Sequence, residues 1–246
     1  MSEQHGHSPL AQFEVFPLLD IKMGGLDLSF TNASLFMVLA MSGILFFLIG
    51  ATRRRALVPG RWQCAAEMVY DFIGKLLKEN VGNEGRRFFP LVFSLFLFVL
   101  TLNLLGMMPY GFTVTSHVAV TFAMSIVLFL FLTVYGFVRH GTHFLRMFLP
   151  EGTPIWMAPM MILVELFAYL ARPFSLSIRL TANMFAGHVI MKVIAGFVIA
   201  LGFLAGWLPF AFLLVFTGFE IFVAVLQAYI FTVLLCVYIN DSVNMH

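Results

Sequence analysis

The sequence predicts an all-α polytopic membrane protein. About five membrane-crossing helices are expected, plus one amphipathic surface helix, with the last two spans forming a long, steeply tilted antiparallel hairpin. Composition is the first ground: of 246 residues, 61% are hydrophobic, 11% are charged and 30 are Phe. That is too apolar for a soluble domain of this length and reads as a single membrane domain over residues 1–246. The second ground is a set of apolar tracts near or above the roughly 20 residues that cross about 30 Å of hydrocarbon. The third is that Lys and Arg gather in a few connecting segments instead of spreading evenly.

Taken in order, residues 1–33 are mixed polar, with Gly, Pro and acidic residues, and read as an N-terminal outer segment. They lack a basic stretch followed by a short apolar core, so no cleavable signal is expected. Residues 34–51 form the first span. In 62–80, Ala66, Val69, Ile73, Leu76 and Leu77 recur at helical spacing with Glu67, Asp71, Lys75 and Lys78 between them. That pattern fits an amphipathic helix lying on the inner membrane surface. Spans follow at 88–108 and 117–138. The next apolar tract, 157–200, would be roughly 60 Å long as a helix, twice the hydrocarbon thickness. No polar turn interrupts it, so one long tilted helix is expected, with Pro173 as a candidate kink. Gly202, Gly206 and Pro209 then turn the chain into a second long helix at 208–240.

Charge placement gives the orientation. Arg53, Arg54, Arg55, Arg61, Lys75, Lys78, Arg86 and Arg87 lie between the first two spans, and Arg139 and Arg146 follow the third. The N-terminal segment has only Lys22, and residues 109–116 have neither Lys nor Arg. By the positive-inside rule the N-terminus is outside and the C-terminus inside. A bacterial inner (plasma) membrane is expected, with the mitochondrial inner membrane as the alternative. Cys64 and Cys236 show no ligand spacing and read as packing residues. His5 and His7 read as a solvated tail, so neither a metal nor a cofactor is expected. No Gly-x-x-x-x-Gly-Lys-Ser/Thr run occurs, which excludes nucleotide binding by a P-loop, and nucleic acid is not an expected partner.

The most informative residue is Arg179, inside the apolar tract. An arginine at bilayer depth costs roughly 2.5–3.5 kcal/mol on insertion scales, and guanidinium does not shed its proton to escape that cost. An intramembrane charge of this kind reads first as part of an ion or proton pathway. The hairpin organises the other polar residues. His188 with Glu220, Asn183 with Gln227, and Arg179 with Gln227 all pair about a centre at 203–205, where the Gly-rich turn falls. Arg179 and Asn183 share a helix face, as do Glu220 and Gln227, and Glu165, Arg172 and Arg179 recur every seven residues. His188 lies nine positions after Arg179, roughly 180° around the helix and about 14 Å along it. One small pocket does not hold both; two access routes on opposite sides of a barrier do. The plainer alternatives are an arginine tied to helix carbonyls and a His188–Glu220 hydrogen bond that merely joins two helices, worth about 0.6 kcal/mol. Arg172 reads as a structural or interfacial charge, and Lys192 as a side chain snorkelling outward.

The runs Ser177-Ile178-Arg179-Leu180-Thr181-Ala182-Asn183-Met184-Phe185-Ala186-Gly187-His188 and Leu226-Gln227-Ala228-Tyr229-Ile230-Phe231 resemble subunit a of F-type ATP synthases. So do Asn103–Tyr110 and Phe112–His117, and the resemblance extends from about Pro9 onward. It implies the stationary half of a membrane motor beside a rotating ring of c subunits, with b-type peripheral stalk subunits, the F1 catalytic sector and the lipid bilayer as further partners. By that resemblance Arg179 faces the c-ring carboxylates, with Asn183 and Gln227 nearby. Glu165 matches an acidic position toward the inner route, and His188 and Glu220 match a pair on the outer half-channel. Part of the bacterial family carries Glu at the first of these two positions and His at the second; this chain has the reverse. The exchange keeps one acid and one imidazole across the hairpin and leaves open which of them carries the proton. Two other readings stand beside this one. A free-standing transporter predicts internal repeats and paired broken helices, neither of which the sequence shows. A structural anchor predicts polar residues that tolerate apolar replacement.

Overall fold

A computed structural model describes residues 16–19, 22–23, 26–27, 29–53, 59–108, 111–141 and 156–243. The expectations placed on His5, His7, Arg54, Arg55, Pro109, Tyr110 and Arg146 lie outside the described residues. The chain is an all-α polytopic membrane protein, with one addition in its N-terminal segment. There β1 (Pro17–Leu19) pairs antiparallel with β4 (Phe30–Thr31), and β2 (Lys22–Met23) with β3 (Leu26–Asp27). Strands of two or three residues are too short to display a period of two, so the sequence reading contained none of them.

Among the described residues six α-helices follow. α1 (Asn32–Thr52) starts on Thr31, whose hydroxyl accepts the amide of Ser34 at 3.4 Å and so satisfies one of the free N–H groups of the first turn. α2 (Arg61–Val81) buries Ile73, Leu76, Leu77 and Val81, a single stripe at helical spacing. It ends at Gly82, whose φ of 80° is open to glycine and costly for side chains with a Cβ. A 3-10 turn (Asn83–Phe88) leads into α3 (Phe89–Gly106), and a second (Val114–Ser116) into α4 (Val118–His140). α5 (Ala158–Ala205) and α6 (Trp207–Val243) form the hairpin. By length and composition α1, α3 with its leading turn, α4, α5 and α6 are each sufficient to cross a membrane.

α5 has 48 residues, about 72 Å at 1.5 Å per residue, more than twice the hydrocarbon thickness. The backbone keeps helical φ and ψ at Pro173; the departure within α5 falls at Gly202, with φ 58° and ψ −162°, where the sequence places the turn. Only glycine adopts that conformation freely, so the hairpin turns where side-chain sterics permit it. Antiparallel pairing is fixed by contacts along its length: Thr217 Oγ1 donates to Met191 Sδ at 3.7 Å, and Arg172 meets Asp241 near the far end.

The core surrounds the C-terminal half of α6. Ala228, Phe231, Leu235, Cys236 and Ile239 pack with Ile73 and Leu77 of α2 and Val92, Phe96 and Val99 of α3. Lipid tails are as apolar as these side chains, so close packing and interhelical hydrogen bonds hold the contact, more than exclusion of water. Small residues allow that approach: Ala224 and Ala228 are fully buried, and Asn103 Nδ2 donates to the Ala224 carbonyl at 3.1 Å. The N-terminal half of α6 is different, exposing Phe212, Leu214, Val215, Phe219 and Phe222. Near the turn an apolar cleft of about 720 Å³ opens between Ile194 and Phe197 of α5 and Leu208 and Phe212 of α6.

Candidate functional site

The middle of α5 has two unlike faces. Leu176, Ser177, Leu180, Thr181, Met184, Gly187 and His188 are buried, while Phe174, Ser175, Ile178, Arg179, Ala182, Phe185 and Ala186 face outward. Arg179 therefore projects away from the protein between large apolar neighbours. It makes no hydrogen bond or ion pair among the described residues. Asn183, one turn further on, is half-buried, and Gln227 on α6 is buried. No hydrogen bond joins Arg179, Asn183 and Gln227 among the described residues. Glu165 is half-buried on α5, 14 positions and about 21 Å before Arg179, also without a bonded partner among the described residues.

On the inward face the structure brings His188 and Glu220 together. Only 5% of His188 and 3% of Glu220 is exposed, and His188 Nδ1 lies 3.0 Å from Glu220 Oε1. The imidazole is ringed by acceptors. Nδ1 is also 2.9 Å from the Met184 carbonyl; Nε2 is 2.8 Å from the Gly106 carbonyl and 3.0 Å from Thr113 Oγ1. A neutral ring donates from one nitrogen only, whereas imidazolium donates from both, so this shell is filled best by the protonated ring. One N–H at Nδ1 serves two oxygens. Directionality favours the Met184 carbonyl, and both Glu220 oxygens remain buried without a well-formed hydrogen bond among the described residues. The 3.0 Å approach is thus a charge contact more than a directed bond.

Backbone geometry permits that approach. A Cβ added at Gly187 would collide with Glu220 Oε1 and lie 2.8 Å from its Cδ, so the carboxylate rests directly on the α5 backbone. Any larger residue would displace it.

Along the same inward face of α5 lies a buried polar wall that sequence reasoning missed as a site. Thr121 Oγ1 on α4 meets Thr181 Oγ1 at 2.7 Å and Ser177 Oγ at 3.0 Å, both on α5. Asn103 Oδ1, Thr115 Oγ1, His117 Nε2 and Ser125 Oγ are buried with no hydrogen-bond partner among the described residues. The available signal was Ser177 and Thr181 at i, i+4 on the face opposite Arg179; hydroxyls in apolar spans seldom stand out because they can bond their own helix carbonyls.

Arg172 also acquires a partner. Its Nη1 lies 2.6 Å from Asp241 Oδ2 at the end of α6, a residue the sequence reading did not single out. Asp241 lies one position past the 208–240 helix that the sequence predicts.

Ionisable groups held within long apolar helices define a polytopic membrane protein of the ion-conducting kind, in which charge is kept at a depth where lipid alone would reject it. Comparison with known proteins narrows this class. The family model described as ATP synthase A chain matches residues 34–240. The chain is 52% identical over 240 residues, 98% of its own length and 100% of the relative's, to ATP synthase subunit a of Rhodospirillum rubrum. It belongs to the ATP synthase A chain family.

Proposed function

We propose that this chain is the proton-channel stator subunit of an F-type ATP synthase, supplying two offset half-channels to a neighbouring c-ring. The observation that carries the proposal is the contrast across α5: Arg179 faces outward with no hydrogen bond or ion pair among the described residues, while His188 and Glu220 are buried on the other side. A lone guanidinium on an apolar outer face is stabilised by a carboxylate that another chain brings to it. A ring of such carboxylates, presented in turn, suits the position.

No covalent bond is made. A proton enters from the outer side and reaches Glu220. Both ring nitrogens of His188 lie against carbonyl acceptors, whereas neither Glu220 oxygen has a well-formed hydrogen bond among the described residues, so Glu220 is the carrier and His188 the group that positions it. The proton passes to a ring carboxylate, which travels neutral through lipid. It is released on the inner side near Glu165, and the ionised carboxylate then meets Arg179. Asn183 and Gln227 supply polar contacts at that crossing. Arg179 holds the carboxylate ionised and blocks direct proton transfer between the half-channels. Each charge crossing 100 mV carries about 2.3 kcal/mol, the amount a short circuit would waste. ATP chemistry belongs to the F1 sector, and b-type subunits hold this chain against rotation. The membrane is the bacterial inner membrane, with the N-terminus outside and the C-terminus cytoplasmic.

Membranes carrying Arg179→Ala in the assembled complex test this directly. Loss of ATP-driven proton pumping with normal subunit content is expected, together with altered passive proton leak. Retained, coupled pumping would refute the proposal.

A further inference from the structure

Arg172 and Arg179 are seven residues apart on α5, so they leave the helix on nearly the same side, about 10 Å from one another along its axis. Their surroundings are opposite. Arg172 is tied to Asp241 at 2.6 Å, and both side chains are 30% exposed. Its guanidinium carbon lies 5.6 Å from the Tyr169 ring centroid and 5.5 Å from that of Tyr238, so two aromatic rings flank the cation. The surrounding segment is pinned as well. Tyr169 Oη meets Thr133 Oγ1 at 2.8 Å, Ser242 Oγ donates to the Tyr238 carbonyl at 2.8 Å, and His140 Nε2 lies 3.1 Å from the Ser242 carbonyl. Arg139, near the end of α4, is paired separately with Glu84. Asp241 is therefore the acid that answers Arg172.

The geometry points to a charge-masking role for Asp241: it neutralises Arg172, leaving Arg179 as the single uncompensated cation on the outward stripe of α5. The inference rests on the stator reading above. A ring carboxylate sweeping past α5 must find one attractive charge in one place. A second bare guanidinium about two turns away, in a medium of low dielectric, would hold an ionised carboxylate off register and compete with Arg179 for it. Asp241 is thus a positioning residue, acting on the ring carboxylates through the charge of Arg172. Tyr169 and Tyr238 keep the guanidinium from swinging outward.

The bland rival is a clamp, in which the ion pair merely fastens α5 to α6. The two roles separate in a set of three variants in the assembled complex: Asp241→Asn, Arg172→Gln, and both together. The readouts are ATP-driven proton pumping, passive proton leak and membrane content of the subunit. Masking predicts that Asp241→Asn loses most of its pumping and that adding Arg172→Gln restores it, because the double variant has no bare cation. A clamp is absent in all three, so a double variant as impaired as Asp241→Asn would overturn the inference, as would an Asp241→Asn variant that pumps normally. Should Asp241→Asn fail to accumulate in membranes while the double variant does, the unpaired charge is being rejected at insertion and masking in the transport path is refuted. Arg179→Gln in the same series reports on the underlying reading: normal pumping there would remove the stator mechanism whatever the Asp241 series gives.

Discussion

The two sides of α5 handle buried charge in opposite ways. On the inner face His188 has more acceptors than protons to give, and Glu220 sits beside it at 3.0 Å within the same chain. On the outer face Arg179 has no hydrogen-bond or ion-pair partner among the described residues. The first site finds its counter-charge within the chain; the second finds none among the described residues. A fold can therefore hold an ionisable group at bilayer depth either by enclosing its counter-charge or by deferring the pairing to an interface. Those two solutions predict different responses to the same kind of mutation.

The widest separation is expected for Arg179→Leu. Removing a bare cation from an apolar face relieves an insertion cost of about 2.5–3.5 kcal/mol, so the isolated subunit in detergent should unfold no more easily than the parent. Proton pumping in the complex should nevertheless vanish. A variant that is both destabilised and inactive would place the guanidinium in an internal structural role and erase the contrast. Glu220→Ala should behave in the reverse sense. It strands His188 in a closed site, where breaking a buried pair costs about 3–5 kcal/mol, less if the ring gives up its proton. Denaturant unfolding of the isolated subunit should show that loss alongside the loss of pumping. Unchanged stability would mean that the carboxylate and imidazole contribute nothing to each other.

Much of this asymmetry was legible in the sequence, and the reason is geometric. Nine helical residues turn roughly 180°, so Arg179 and His188 had to diverge. Antiparallel pairing about a Gly-rich turn put Glu220 opposite His188, and the apolar stripe through Ile73, Leu76 and Leu77 identified α2. What stayed hidden depends on tertiary context. The Gly106 carbonyl belongs to backbone, which no side-chain pattern reports, and Thr113 reaches His188 from 75 positions away. Asp241 lies one position past the helix expected at 208–240, whereas α6 continues through Val243. The turn at Gly202, by contrast, was legible, because the positive φ it needs is open to glycine and costly for residues with a Cβ.

A smaller perturbation tests the inner site without deleting any ionisable group. Gly187→Ala places a methyl where the Glu220 carboxylate rests, 2.8 Å from its Cδ. The side chain must move off the α5 backbone and away from His188, while Arg179 and the outer face are untouched. Misplacement on the ångström scale commonly costs about ten- to a hundredfold in a positioned proton transfer, so pumping should fall within that range with assembly intact. Pumping at the parental rate would show that Glu220 works from more than one position.

Thr113→Val should give the smallest effect, and its size separates a rigid imidazole from a mobile one. The hydroxyl is one of two oxygens around Nε2, at 3.0 Å, and the Gly106 carbonyl at 2.8 Å remains after the substitution. Valine nearly matches threonine in shape, so the change removes a hydrogen-bond partner and little else. Interhelical hydrogen bonds in membrane proteins average about 0.6 kcal/mol, which corresponds to about a threefold change in an equilibrium. Pumping should fall by no more than that if the Gly106 carbonyl alone fixes the ring. A loss as deep as that of Glu220→Ala would mean instead that the proton path runs through the threonine hydroxyl, and the buried wall from Thr113 to Thr181 would then be the conductor, with the acid–imidazole pair as its terminus.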